Sequence, residues 1–199
     1  MTPISLNAKN FFDIFVDKYK KNRELYSDID WKELWEDTSN WSFFMIDNHN
    51  SVIRQMAESF GLVCPQREPL RIDAIFTPTE KWDWFPISVA IEHENNYREF
   101  QREIKKLLSV KCGLKVGITY SIIENKKDNL ENRLEFVKYK IEKSFFSSFN
   151  NMDNKLLVPH ECYLFIIGCE TSPRKIEWYY TVVSPKEGLT NHLTWTHHH

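Results

Sequence analysis

The residues best suited to chemistry lie in the stretch Ile87-Ser88-Val89-Ala90-Ile91-Glu92-His93-Glu94-Asn95-Asn96. An apolar run closes on two carboxylates, two positions apart. Side chains alternate across a strand, so Glu92 and Glu94 would leave one face roughly 7 Å apart. Ile87, Val89, Ile91 and His93 would take the other face. Like charges at the end of a buried strand are unfavourable unless a cation lies between them. Hard divalent ions prefer oxygen donors, so Mg²⁺ is the natural counter-charge.

A third carboxylate fits the same place. Residues Leu70 to Thr77 read as a strand, with Leu70, Ile72, Ala74 and Phe76 on one side and Asp73 on the other. Pro78 to Pro86 reads as the loop that follows. An antiparallel pairing around a midpoint near Trp82 and Asp83 would bring Asp73 level with Glu92. Three acidic groups are then expected on one patch of sheet.

The surrounding pattern says what must position them. Helical spacing is read over about Asn7 to Tyr26, with Phe11, Ile14, Phe15 and Tyr19 on its stripe. A second helix is expected around Ile29 to Asp37. A third runs from about Ser51 to Phe60, capped by Asn50 and ended by Gly61. A short strand at Leu62 to Cys64 and the two acidic strands follow. Helix Tyr97 to Val110 then buries Phe100, Ile104, Leu107 and Leu108. Strand Leu114 to Tyr120, a long helix from about Asp128 to Phe149, and strands at Cys162 to Cys169 and Ile176 to Val183 complete the order. Strand, helix, strand over 87–120 is a crossover, which predicts parallel strands. The fold expected is α/β: a central mixed sheet flanked by helices, with an N-terminal helical segment.

The chain has 199 residues, 42% of them hydrophobic and 15% aromatic, enough for one folded domain. That domain is read over 1–196, with 1–49 helical, 50–120 carrying the acidic motif and 121–196 completing the sheet. The 5 glycines argue against a Gly-rich nucleotide fold, and a net charge of −2 excludes no partner. His197, His198 and His199 look like the start of a tag. The remaining histidines, His49, His93, His160 and His192, are scattered, and no Cys-x-x-Cys spacing marks structural zinc. The 4 cysteines sit in apolar contexts with no signal peptide ahead of them, as reduced thiols of a cytoplasmic protein would. The longest apolar run, Cys162 to Cys169, is too short to span a membrane.

With Asp73 on one strand, Glu92-x-Glu94 on the next, and a helix and a further strand behind them, the chain resembles the PD-(D/E)XK nuclease superfamily. That family includes many type II restriction endonucleases. The resemblance covers roughly residues 50 to 120 through these motifs. Asp73 follows Ile72 where the pattern often has Pro. Glu94 stands where the pattern usually has Lys, as in the Glu-x-Glu variant of some restriction enzymes. The resemblance implies a Mg²⁺-dependent DNA endonuclease, with Mn²⁺ a possible substitute. Asp73, Glu92 and the main-chain carbonyl of His93 would hold the ion, and Glu94 would serve as general base or second-metal ligand. Glu58 is the candidate for a helix-borne acidic residue, against a plain solvated reading. Cleavage of both strands of a duplex implies a homodimer with twofold symmetry.

The face Arg98, Arg102, Lys105, with Lys106 at its edge, would contact phosphates, or would be the ordinary solvated side of an amphipathic helix. Gln101 and Lys105 sit where some family members place active-site groups. Asn95 and Asn96 would end the strand and cap the helix, or touch DNA. His93 reads as a hydrogen-bonded core histidine. Trp82 and Trp84 are placed in a loop where aromatics could meet DNA or a second subunit. Two rivals stand beside the nuclease. One is a catalytically inactive nucleic-acid-binding relative of the same fold. The other is a small interaction protein whose Glu92 and Glu94 are paired with Arg71 or Arg98.

Overall fold

The computed structural model describes residues 4–26, 35, 37–65, 71–80, 86–123, 129–151, 161–172, 175–184 and 193–197. Most of the helix expected at 29–37, the tip of the loop at 81–85, and His160 and His192 lie outside them. The chain divides into two compact units, 1–90 and 91–199.

The first unit opens with helix α1, Ala8–Leu25. Asn7 caps it: its side chain accepts from the Asn10 N–H at 2.9 Å, serving a donor with no intrahelical partner. Phe11, Phe12, Phe15, Val16 and Tyr19 recur at helical spacing and are buried. Asp37 caps the short α2, Thr38–Ser42, by accepting from Ser39 and Asn40 N–H. The chain widens there into a π-helical turn, Phe43–Asp47, which stacks Phe44 on Trp41 at 5.4 Å. Helix α3, Val52–Ser59, is capped by Ser51 rather than Asn50. The Ser51 hydroxyl donates to the Ile46 carbonyl at 2.9 Å, tying α3 back to the π turn. Gly61, at φ 67°, ends α3 in the left-handed region that glycine adopts without a Cβ clash. Phe11 packs against both Phe60 and Phe76, each at 6.0 Å between ring centres.

The strands form one six-stranded mixed sheet in the order β1-β2-β3-β4-β5-β6. They are β1 Ala74–Phe76, β2 Val89–Glu94, β3 Leu114–Ser121, β4 Cys162–Ser172, β5 Lys175–Val183 and β6 Thr196–His197. The α/β fold with a central mixed sheet is therefore as the sequence reads. Helix α4, Phe100–Ser109, joins β2 to β3, and α5, Leu130–Asn151, follows β3. β3 and β4 run parallel from Leu114↔Cys162 to Ser121↔Cys169. β4 and β5 are antiparallel, with an irregularity between Glu170 and Ser172, and β6 pairs antiparallel with β5 through Tyr179↔His197. His197, read from sequence as part of a tag, thus stands on the sheet edge, its ring 4.7 Å from that of Tyr179.

The second unit buries one cluster between strands and helices. Phe100 and Ile104 of α4, and Val137, Ile141 and Phe145 of α5, meet Tyr163, Phe165, Ile167 and Cys169 of β4. Gly117 of β3 permits this approach, since a Cβ there would lie 2.7 Å from the Phe100 ring and 2.9 Å from Phe165. The buried Lys115 ammonium donates to Glu161 at 2.7 Å and to the Tyr163 hydroxyl at 2.9 Å. A charge removed from water needs such partners. Among the described residues, no helix is long and apolar enough to cross a membrane.

Two boundaries differ from the sequence reading. The strand expected at 70–77 is β1 alone, because Arg71 takes φ 62° and breaks the extended run. The strand expected at 62–64 is a single bridge, Val63 to Thr77.

Candidate functional site

The site is built on the end of β2. Six residues, Val-Ala-Ile-Glu-His-Glu, alternate across the strand, and the first four are buried. Glu92 has no exposed surface. Its Oε2 accepts from Lys106 Nζ of α4 at 2.8 Å. The same ammonium is paired with the carboxylate of Glu103, one helical turn earlier and itself buried. A strand carboxylate is thus joined to a helix carboxylate through one lysine. A pair this enclosed feels weak screening, so each partner depends strongly on the other.

Glu94 is half-buried, and its Oε1 accepts from the Asn96 N–H at 2.8 Å. Its main-chain carbonyl accepts from the Thr119 hydroxyl of β3 at 2.9 Å. Asn96 in turn accepts from the Arg98 N–H at 3.0 Å, so it caps the turn that leads into α4. The Asn95 side-chain oxygen is buried and accepts no hydrogen bond among the described residues.

His93 leaves the opposite side of β2. Its Nε2 lies 2.8 Å from the Tyr120 hydroxyl, and the two rings meet edge to face. Loss of solvent around the imidazole lowers its pKa to about 3, which keeps it neutral near pH 7. The core-histidine reading matches this arrangement.

Asp73 is half-buried at the bend directly before β1, in the first unit, whereas Glu92 and Glu94 belong to the second. Glu58 is exposed on α3, in the first unit. Arg98, Arg102 and Lys105 are exposed, and Arg98 lies 5.6 Å from the centre of the Tyr97 ring. Lys106, expected with them at the edge of a phosphate-binding face, instead turns to Glu92 and Glu103. Neither Glu103 nor this partnership was signalled by the sequence. Glu103 does lie next to Ile104 and three positions before Lys106, the spacing at which helical side chains meet.

The donors Glu92 and Glu94 are hard oxygens of the kind Mg²⁺ takes, and two from one strand face fit part of such a shell. Among the described residues, no group of three or more His, Cys, Asp or Glu side chains is arranged to hold a metal ion. Comparison of the chain with protein-family models, with curated proteins and with solved structures found no match.

Proposed function

We propose that this chain is a Mg²⁺-dependent endonuclease of the PD-(D/E)XK type, hydrolysing phosphodiester bonds in DNA, with a restriction or defence role. The observation that carries the reading is the strand–helix unit at 89–109. A buried carboxylate, Glu92, ends an apolar strand beside Glu94, and a lysine from the next helix lies on it at 2.8 Å. Lysine is the residue type the Glu-x-Lys pattern expects, and here Lys106 supplies an ammonium from α4 where Glu94 occupies the usual position.

In this reading Asp73, Glu92 and the His93 carbonyl would hold the ion, which would supply charge neutralisation at the phosphate and make water more acidic. Glu94 would take a proton from the attacking water as its oxygen bonds to phosphorus and the bond to the leaving sugar oxygen breaks, and Lys106 would fix the Glu92 carboxylate and lower the cost of its burial. Arg98, Arg102 and Lys105 draw the DNA backbone. The active form is a cytoplasmic homodimer acting on duplex DNA, and four thiols present as free cysteines accord with a reducing compartment.

Cleavage of a supercoiled plasmid in Mg²⁺ tests this. Asp73→Asn and Glu94→Gln should each lower the rate by about 100-fold or more, as expected for groups at the metal. Unchanged rates in both variants would remove the assignment. One observation favours a second reading, an inactive nucleic-acid-binding relative: the Glu92 carboxylate already has a cation on it, Lys106. That protein would bind DNA equally well in EDTA and in Mg²⁺ and would not cut.

A further inference from the structure

Helix α5 gathers exposed aromatic and basic side chains on one flank. At 3.6 residues per turn, Phe136, Tyr139, Lys140 and Lys143 share it, while Glu131, Glu135 and Glu142 share the other with Lys138, which pairs with Glu135. On the first flank two large aromatic rings face solvent: Phe136 is 38% exposed and Tyr139 53%. Each carries a cation over its face. Lys140 Nζ lies 5.1 Å from the Phe136 ring centre, and Lys143 Nζ lies 5.6 Å from that of Tyr139. The flank continues onto the turn before α4. Tyr97 meets Phe136 edge to face at 5.5 Å and has the Arg98 guanidinium 5.6 Å from its own ring centre.

Hydrophobic burial does not account for this pattern. Val137, Ile141 and Phe145 already fill the inward stripe of α5. Exposed rings are retained here, and each has a lysine of the same flank over its face. Aromatic faces interleaved with Lys and Arg are what an unpaired nucleic-acid strand requires, since bases stack on rings and phosphates follow the charges. A closed duplex hides its base faces and would use the cations alone.

We propose that this surface, formed by Tyr97, Arg98, Phe136, Tyr139, Lys140 and Lys143, binds single-stranded DNA by base stacking. The proposal rests on the nuclease reading for its biological sense and narrows the substrate to DNA with an unpaired segment. Tyr97 follows Glu94 by three residues, so their Cα atoms lie within about 11 Å of each other. An unpaired stretch held there leads toward the end of β2.

The test is fluorescence anisotropy with labelled oligothymidine and with a duplex of equal length, both in EDTA so that cutting plays no part. Oligothymidine should bind more tightly than the duplex. Phe136→Ala/Tyr139→Ala should weaken it by about tenfold or more, from the loss of two stacking faces. Lys140→Gln/Lys143→Gln should weaken both ligands and flatten the salt dependence. Circular dichroism checks that these surface variants keep the fold. Binding of oligothymidine by the double-alanine variant within twofold of the parent, or equal affinity for duplex and single strand, would overturn the proposal. Plasmid cleavage separates the two claims. Aromatic-dependent binding without any cleavage leaves the surface standing and removes the nuclease. Cleavage with no effect of the alanines on binding does the reverse.

Discussion

Glu92 and Lys106 form an ion pair between the end of β2 and α4. The carboxylate has no exposed surface, while the lysine side chain keeps 31% of its own. Removing the lysine would leave Glu92 and Glu103 close together without the ammonium between them. Lys106→Met should therefore destabilise the protein by about 3 kcal/mol at pH 7, near the low end for breaking a buried pair. Urea denaturation at pH 7 measures the effect. Equal stability of variant and parent at pH 7 would mean that the pair contributes nothing.

His93 makes the stability depend on acid. Its pKa is held near 3 by burial, against an unfolded value near 6.5. The unfolded chain thus binds a proton first. The stability conferred by neutral His93 is complete above about pH 6.5 and is lost as pH falls toward 3. The melting temperature of His93→Gln should decline less steeply than that of the parent between pH 6.5 and 4. Parallel declines would show that His93 does not set the acid sensitivity. Strand alternation made the sides of Glu92 and His93 legible from sequence. The partner of Glu92 was not legible, because neighbouring lysines on a helix differ by about 100° and the sequence alone did not fix which one faces the strand.

Among the elements, α4 packs on β3 at Gly117, where a side chain would have no room. Gly117→Ala would drive a methyl group into the Phe100 and Phe165 rings, at 2.7 and 2.9 Å. A loss of about 1–3 kcal/mol is expected from such overpacking, read as a lower urea midpoint with unchanged slope. An unchanged midpoint would mean that α4 can shift away at no cost. The long periodic elements were legible: α1, α4, α5, β3, β4 and β5 fall within a few residues of their expected bounds. Local backbone exceptions were not. An arginine at φ 62° is unusual for a residue with a Cβ, and nothing in its neighbours announced that β1 would begin only at Ala74. The π-helical turn after Trp41 has no composition signature either, being a one-residue widening of an ordinary helical pattern.

For the whole molecule, the alternation of strands and helices was enough to give a mixed α/β sheet, because crossovers and hairpins leave few topologies open. The gathering of three carboxylates asks more. It depends on how the strand ending at Phe76 is aligned with the one beginning at Val89, and periodicity within each strand does not set the register across them. Asp73 lies in one compact unit and Glu92 and Glu94 in the other. The proposed metal role of Asp73 is tested by isothermal titration of Mn²⁺ into the parent and into Asp73→Asn. Saturable binding by the parent is expected, with affinity reduced about tenfold or more when the charge at position 73 is removed. No binding by the parent, or identical binding by the two proteins, would contradict it.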